Sequence, residues 1–387
     1  MDKKLKRLLN VDNTSNILSS ITAIVIGLLA GLVVLLFSSP ANALGGFGAI
    51  LTGGLANRVG IGQTLYLATP IMMTGLSVAF ANRTGLFNIG ASGQFTAGAF
   101  AAIFVGVHGT FLPGALHWIV ALLAATAAGA IWGSAPGFLK AYRNVNEVIS
   151  CIMMNYISVY LVNFLIVETQ TVNTLTNQTK RVAASAVLPK LGLDILFKDG
   201  AIVSSANGGI FIALLMSVIV YIVLEKTKFG FELKACGFNR EAACYAGVDE
   251  RRSIMLSMLI AGAASGLGGG LLYLAGSGNG IDVVDVLTSY GFDGIPVALL
   301  ALNNPIAVIF SSLFIGYLKV GGTNMQLFNF APQVIEIIVA IIIYFSAFAL
   351  ILKGLFTQLT NRRRIVPKRK FSETEVFQNG SFPKGGA

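Results

Sequence analysis

The stretch KTKFGFELKACGFNREAACYAGVDERR, residues 226–252, is a polar island between two long apolar runs at 207–224 and 253–276. It is patterned like folded structure. The side-chain oxygen of Asn239 can accept from the free N–H groups of a first helical turn, and Glu241 stands where the positive end of the helix dipole favours a carboxylate. Gly247 offers the left-handed conformation that ends a helix. Residues 240–246 therefore predict about two turns, roughly 10 Å of helix, with Ala242, Ala243 and Ala246 as small side chains over which another surface can approach. Just upstream, residues 231–236 predict a second short helix, ended by Gly237. A connecting loop with helical propensity would carry the same signals, so the surrounding chain has to decide.

Working outward, 55% of the 387 residues are hydrophobic and only 11% are charged, against roughly 25% charged in soluble domains. Mean hydropathy is +0.76. Apolar stretches of about 20 residues recur, each long enough to cross a hydrocarbon core of roughly 30 Å as a helix. In lipid a backbone must satisfy its own hydrogen bonds, which selects a helical bundle over a barrel of short alternating strands. The fold class is therefore all-α: a polytopic transmembrane helical bundle located in the cell membrane.

Upstream of the island, a basic N-terminus at 1–16 precedes an apolar run at 17–37. That run is longer than the roughly 7–15 residues of a signal-peptide core, which favours a retained first span. Residues 44–63 are Gly-rich and predict a surface or re-entrant piece. Spans follow at 64–82, with Pro70 a kink, then through TGLFNIGASGQFTAGAF (84–100) to about 107, and at 115–139 and 146–167. His108 and His117 fall near the outer face as interfacial side chains. Gly129, Gly133 and Gly137 make a smooth stripe that suits close helix contact, as do Gly262, Gly266 and Gly270 in the span after the island. Residues 168–206 are the longest polar segment and belong outside.

Downstream, residues 292–302 are too short to cross alone. Asn303-Asn304-Pro305 interrupts before apolar residues resume to 318, which reads as a discontinuous helix pair or as a plain tight turn between two short spans. A last span covers 332–353, and a basic tail fills 354–387. This gives about ten spans in a domain at 17–353, with N- and C-termini cytoplasmic. The proposed inner segments, with Lys353 at the inner end of the last span, hold 21 of the 27 Lys and Arg, as the positive-inside rule requires. Orientation thus accounts for the net charge of +10, with contact to membrane lipid as a secondary role and no call for nucleic acid.

The chemistry of catalysis is thin. No HExxH spacing or facing cysteines build a metal site, Cys236 and Cys244 are cytoplasmic thiols rather than a disulfide, and nothing calls for a cofactor. No Gly-Lys dipeptide occurs, so a Walker A loop is impossible and any ATP is hydrolysed by another chain. Glu147, Asp293 and Glu336 lie near span ends, in structural or capping positions. Ion-coupled carriers place carboxylates deeper, which disfavours that class without removing it. Polar or aromatic groups near glycine breaks, Asn88, Gln94, Asn155, Tyr156 and Asn303, are candidates for a path taken by a small-molecule substrate. Interhelical hydrogen bonds would explain the same residues.

Three segments together, TGLFNIGASGQFTAGAF, GFDGIPVALLALNNP and FGFELKACGFNREAACYAG, resemble the permease subunits of ATP-binding-cassette importers for nucleosides and simple sugars, within the branched-chain amino acid permease superfamily. The resemblance covers residues 45–352 and is most similar to the larger permease of a nucleoside importer, with simple sugars such as ribose as the alternative substrates. It implies that residues 231–248 dock on the ATPase, with Phe231, Glu232, Leu233, Ala235, Gly237, Asn239, Glu241, Ala242, Ala243, Tyr245, Ala246 and Gly247 forming the coupling element. It also implies three partners: a second homologous permease, a cytoplasmic ABC ATPase and an extracytoplasmic substrate-binding lipoprotein. Relatives often carry an acidic residue where Ser92 stands, so no role is carried over to that position.

Overall fold

The computed structural model describes residues 21–22, 24–278 and 280–347. The basic N-terminus, the start of the first span and the basic tail lie outside the described residues. Helix α1 (Ile24–Ser38) leads to α2 (Ala43–Gly53), α3 (Arg58–Arg83), α4 (Ala91–His108), α5 (Gly114–Arg143) and α6 (Glu147–Glu168). After a loop come α8 (Gly209–Lys226), α9 (Lys228–Phe238), α10 (Arg240–Tyr245), α11 (Glu250–Tyr273), α12 (Ser289–Leu300), α13 (Pro305–Asn324) and α14 (Pro332–Ala347). Within the loop, α7 (Leu193–Leu196) lies between two small hairpins, β1–β2 (Val172–Asn173, Gln178–Thr179) and β3–β4 (Lys198–Asp199, Ile202–Val203). The all-α expectation is thus amended by four two-residue strands outside the bundle.

Among the described residues, six helices are long and apolar enough to cross a membrane: α3, α5, α6, α8, α11 and α13, the last extended to Phe328. Their centre is α11, which packs on α5, α4 and α3. The two glycine stripes face one another there. A Cβ on Gly129 would stand 2.3 Å from the Gly262 carbonyl oxygen, and one on Gly133 2.5 Å from that of Met258. In lipid no hydrophobic force drives helices together, so dispersion and backbone proximity must.

Two expectations about boundaries are corrected. Helix α3 starts at Arg58 because Asn57 caps it, accepting from the Gly60 N–H at 2.7 Å, so residues 58–63 belong to the span. Helix α4 starts late: residues 84–90 run back into the bundle without helical structure before α4 begins at Ala91. Helix α12 has 12 residues, about 18 Å, and is the short partner of a hairpin whose other arm, α13, is full length. Asn304 caps α13 by accepting from Ile306 and Ala307 N–H, with Pro305 at the first helical position. A tight turn therefore joins the two helices, and only α12 is short.

One end of the bundle gathers the basic residues Arg83, Lys140, Arg143 and Lys226. The other carries residues 169–208, which are pinned to the helices beneath. His117, expected at the lipid interface, is instead fully buried there: its Nδ1 meets Ser185 Oγ at 2.8 Å and its Nε2 the Val105 carbonyl at 2.9 Å.

Candidate functional site

At the basic end, α8 turns into α9 through Thr227. Its hydroxyl donates to the Val223 carbonyl at 2.6 Å and accepts from Gly230 N–H at 3.0 Å, closing one helix and capping the next. Gly230 lets α9 fold back, since a Cβ there would lie 2.1 Å from the Val223 oxygen. Leu233 and Cys236 turn inward from α9 and are buried. Burial pushes the Cys236 thiol above its ordinary range, so this sulfur stays protonated and unreactive. Glu225 joins the layers, pairing with Lys234 at 2.9 Å and Arg83 at 3.9 Å.

Asn239 does what its sequence position predicts: its Oδ1 accepts from Ala242 N–H at 3.0 Å and so caps α10. Gly247 has φ +82 and ends the turn, again as predicted. Gly237, however, does not end α9, which continues to Phe238. Its small size answers a different demand, because a Cβ there would stand 2.8 Å from the Thr84 backbone carbon where α3 ends. Helix α11 is capped by Asp249, accepting from Arg252 N–H at 3.1 Å, and tied to α10 by Arg240–Glu250 at 3.5 Å.

The twelve expected coupling residues thus divide into three sets. Leu233 and Ala243 are buried against the bundle, and Gly237 packs on the turn after α3; these hold the segment down. Glu232 and Ala235 are half-buried along the side of α9. Asn239, Glu241, Ala242, Ala246 and Gly247 are exposed, and beside them stand Phe231 at 68%, Phe238 at 89% and Tyr245 at 95% exposure. Phe238 lies inside the expected segment but outside the twelve named residues, and it is more exposed than Phe231. Three large aromatic rings thus stand exposed on an otherwise polar surface.

This face is mechanically joined to the spans. Gly85, at φ +72, meets Gly237 backbone to backbone. Arg251 lies 5.6 Å from the Tyr142 ring centroid at the end of α5, and Lys140 pairs with Glu147 across the α5–α6 turn at 2.9 Å. Arg83 Nε donates to the Asn303 carbonyl at 2.9 Å, and Asn82 donates to the Asn303 side chain at 3.0 Å. The α12–α13 turn, held with Leu302 and Asn303 at positive φ, therefore connects to the same platform.

Higher in the bundle, the re-entrant residues 84–90 are held by polar groups. Asn88 and Gln94 exchange amide hydrogen bonds at 2.9 and 3.1 Å, and Asn88 also donates to Ser77 Oγ at 3.0 Å. Asn155 accepts from Gly93 N–H at 2.8 Å and donates to the Ile89 carbonyl at 3.1 Å. All three amides are buried and hydrogen-bonded, Asn88 and Gln94 to each other and Asn155 to backbone. Tyr156 is half exposed on the outer face of α6, and Asn303 lines a groove of about 880 Å³ at the basic end. The five candidate path residues therefore occupy three separate places. An ion pair that the sequence hid lies nearby: Lys319 Nζ meets the half-buried Asp293 at 2.5 Å. The hairpin fold at Asn303–Asn304 alone brings these residues, 26 apart in sequence, together.

Among the described residues no group of three or more His, Cys, Asp or Glu could hold a metal ion. Apolar crossing helices, a re-entrant segment in mid-bundle and a capped surface platform define a multi-pass membrane protein. The chain matches the family described as "Branched-chain amino acid transport system / permease component" over residues 60–347, and it belongs to that family. It is 40% identical to the guanosine ABC transporter permease protein NupP of Bacillus subtilis over 338 residues, 87% of this chain and 94% of that one. It is 34% identical to the nucleoside ABC transporter permease protein NupB of Lactococcus lactis, covering 88% and 93%. It is 33% identical to the glucose ABC transporter permease protein TsgB13 of Haloferax volcanii, covering 85% of each. No solved structure matches the chain.

Proposed function

We propose that this chain is the transmembrane permease subunit of an ATP-driven nucleoside importer and that α9–α10 is the surface on which the ATPase of a separate chain docks. The observation that carries the docking is the exposed trio Phe231, Phe238 and Tyr245 on a segment capped at both ends, packed on the turn after α3, joined to α8 at Thr227 and paired with the start of α11 through Arg240 and Glu250. A partner that pulls on these rings moves the spans rather than a slack loop, which is what alternating access needs. On this reading α1, α4, α12 and α14 complete ten crossings, both termini are cytoplasmic, and residues 169–208 face the opposite side. There an extracytoplasmic lipoprotein would deliver substrate. The exposed face of α6, with Tyr156, Tyr160 and Phe164, suits a second permease, with membrane lipid around the remainder.

Nucleosides are favoured by the identities to NupP and NupB; the likeness to TsgB13 supports simple sugars as the second reading. Purification in mild detergent with partner identification, followed by uptake of radiolabelled guanosine and glucose, tests both. An associated ATPase and guanosine uptake that stops on ATP depletion are expected. Absence of any ATPase, or uptake that survives ATP depletion and stops with an ionophore, would overturn the reading in favour of an ion-coupled carrier.

A further inference from the structure

A cavity of about 250 Å³ lies between α4, α6, the end of α11 and the segment leading into α12, lined among others by Phe95, Thr96, Asn163, Tyr273, Asp282 and Tyr290. It is just under the roughly 300–1,000 Å³ of pockets that enclose drug-sized ligands, a size for one small planar ring system. Its wall is aromatic. The Tyr290 ring stacks on Phe95 with centroids 5.9 Å apart and planes 16° from parallel, and Lys319 Nζ stands 5.4 Å from the same centroid. Lys319 is in turn held by Asp293, so the Tyr290 ring is fixed from two directions.

The polar edge of the cavity is unsatisfied where it counts. No hydrogen bond joins the Tyr273 or Tyr290 hydroxyl to another described residue. The segment over the cavity is tied down at several points. Asn163 donates to the Val284 carbonyl at 3.0 Å and to Asp285 at 2.9 Å, and Gln178 donates to Asp282 at 2.7 Å. On the side toward the basic end, Ser92 Oγ donates to the Thr288 carbonyl at 2.9 Å, and a Cβ on Gly291 would stand 2.2 Å from Ser92 Cα. The cavity is thus bounded by α4–α12 contact below and by a bonded strap beside the 169–208 loop above.

We propose that this cavity is a substrate subsite that receives the planar heterocyclic base of a nucleoside, with the Phe95–Tyr273–Tyr290 wall supplying apolar ring contact and the two free phenolic hydroxyls bonding the polar edge of the base. The inference rests on the importer reading and adds where in this chain the substrate is held. An aromatic wall with few polar groups at its edge is the ordinary composition of a small-molecule site. Lys319 and Asp293 act as positioning residues through Tyr290.

The test is uptake of radiolabelled guanosine by the complete assembled importer carrying Tyr273→Leu, Tyr290→Leu, Tyr273→Phe or Tyr290→Phe, with assembly read by co-purification of the ATPase. The Leu variants are expected to lose uptake about tenfold or more, and the Phe variants to raise KM several-fold with little change in maximal rate, since only the hydroxyl is missing. Should a Leu variant fail to assemble, the Phe variants decide. Wild-type KM in both Phe variants, or wild-type uptake in an assembled Leu variant, overturns the proposal while leaving the importer reading intact. Wild-type importer that carries glucose but not guanosine overturns the nucleoside reading itself.

Discussion

The basic end of the molecule and its mid-bundle polar network are both rich in asparagine, yet they are built on opposite principles. In the middle, Asn88, Gln94 and Asn155 are buried and spend their hydrogen-bonding capacity on one another and on the re-entrant backbone. At the end, Asn239 spends its side chain on a cap and leaves a surface of exposed aromatic rings around it. A saturated buried network fixes shape, because any loss leaves a costly unpaired group. An exposed apolar face on a rigid base awaits a partner. On the proposed reading, the contrast separates what holds the permease together from what connects it to its source of work.

The largest expected effect comes from neither region but from the contact that frames both. Gly262→Leu would force a side chain against the Gly129 carbonyl, 2.3 Å from its Cβ, and backbone cannot swing aside as a side chain can. Loss is expected to exceed the roughly 1–3 kcal/mol of ordinary overpacking, and size-exclusion chromatography in detergent should show no monodisperse protein. Next, the pair Phe238→Ala and Tyr245→Ala should cut uptake about tenfold or more, as for interface hot spots, with thermal stability of the isolated chain changed by no more than about 0.5 kcal/mol. A matching fall in stability would make these rings structural and erase the contrast.

How much of this was legible in the sequence follows from the range of each cause. Caps are local, so Asn239 and Gly247 are placed from neighbours in the chain, whereas Asn304 reads there only as part of a break. The two glycine stripes were each visible as close-packing surfaces, but no local signal says that they face each other. Gly237 reads locally as a helix stop, but the demand on it comes from Thr84 and Gly85, some 150 positions away. His117 looked interfacial for the same reason: its partners, Val105 and Ser185, come from other elements. The Asp293–Lys319 pair depends on a hairpin whose two arms differ in length, and hydropathy places each residue merely near an apolar run. The glycines at 85, 90 and 93 permit a broken entry to α4, but nothing local signals the polar network that stabilises it.

Smaller effects sharpen the same comparison. Asn155→Leu leaves the Gly93 N–H and the Ile89 carbonyl unpaired in the interior, costing about 1–3 kcal/mol, read as a lower melting temperature in detergent with ATPase association unchanged. Reduced uptake at unaltered stability would instead assign Asn155 to the substrate path. Glu225→Gln weakens partly exposed pairs with Lys234 and Arg83 worth about 0.2–1 kcal/mol. Its effect on stability should be slight and should vanish at high salt.

The central claim is that α9–α10 receives work done by another chain, and one substitution addresses it directly. Ala242 is exposed on α10 between the cap residue Asn239 and Tyr245, so Ala242→Arg adds bulk and charge to the docking face without entering the fold. Co-purification of the ATPase with the membrane-inserted variant, measured alongside guanosine uptake, gives the answer. The account predicts normal insertion with both association and uptake lost. Full ATPase association and wild-type uptake would contradict it.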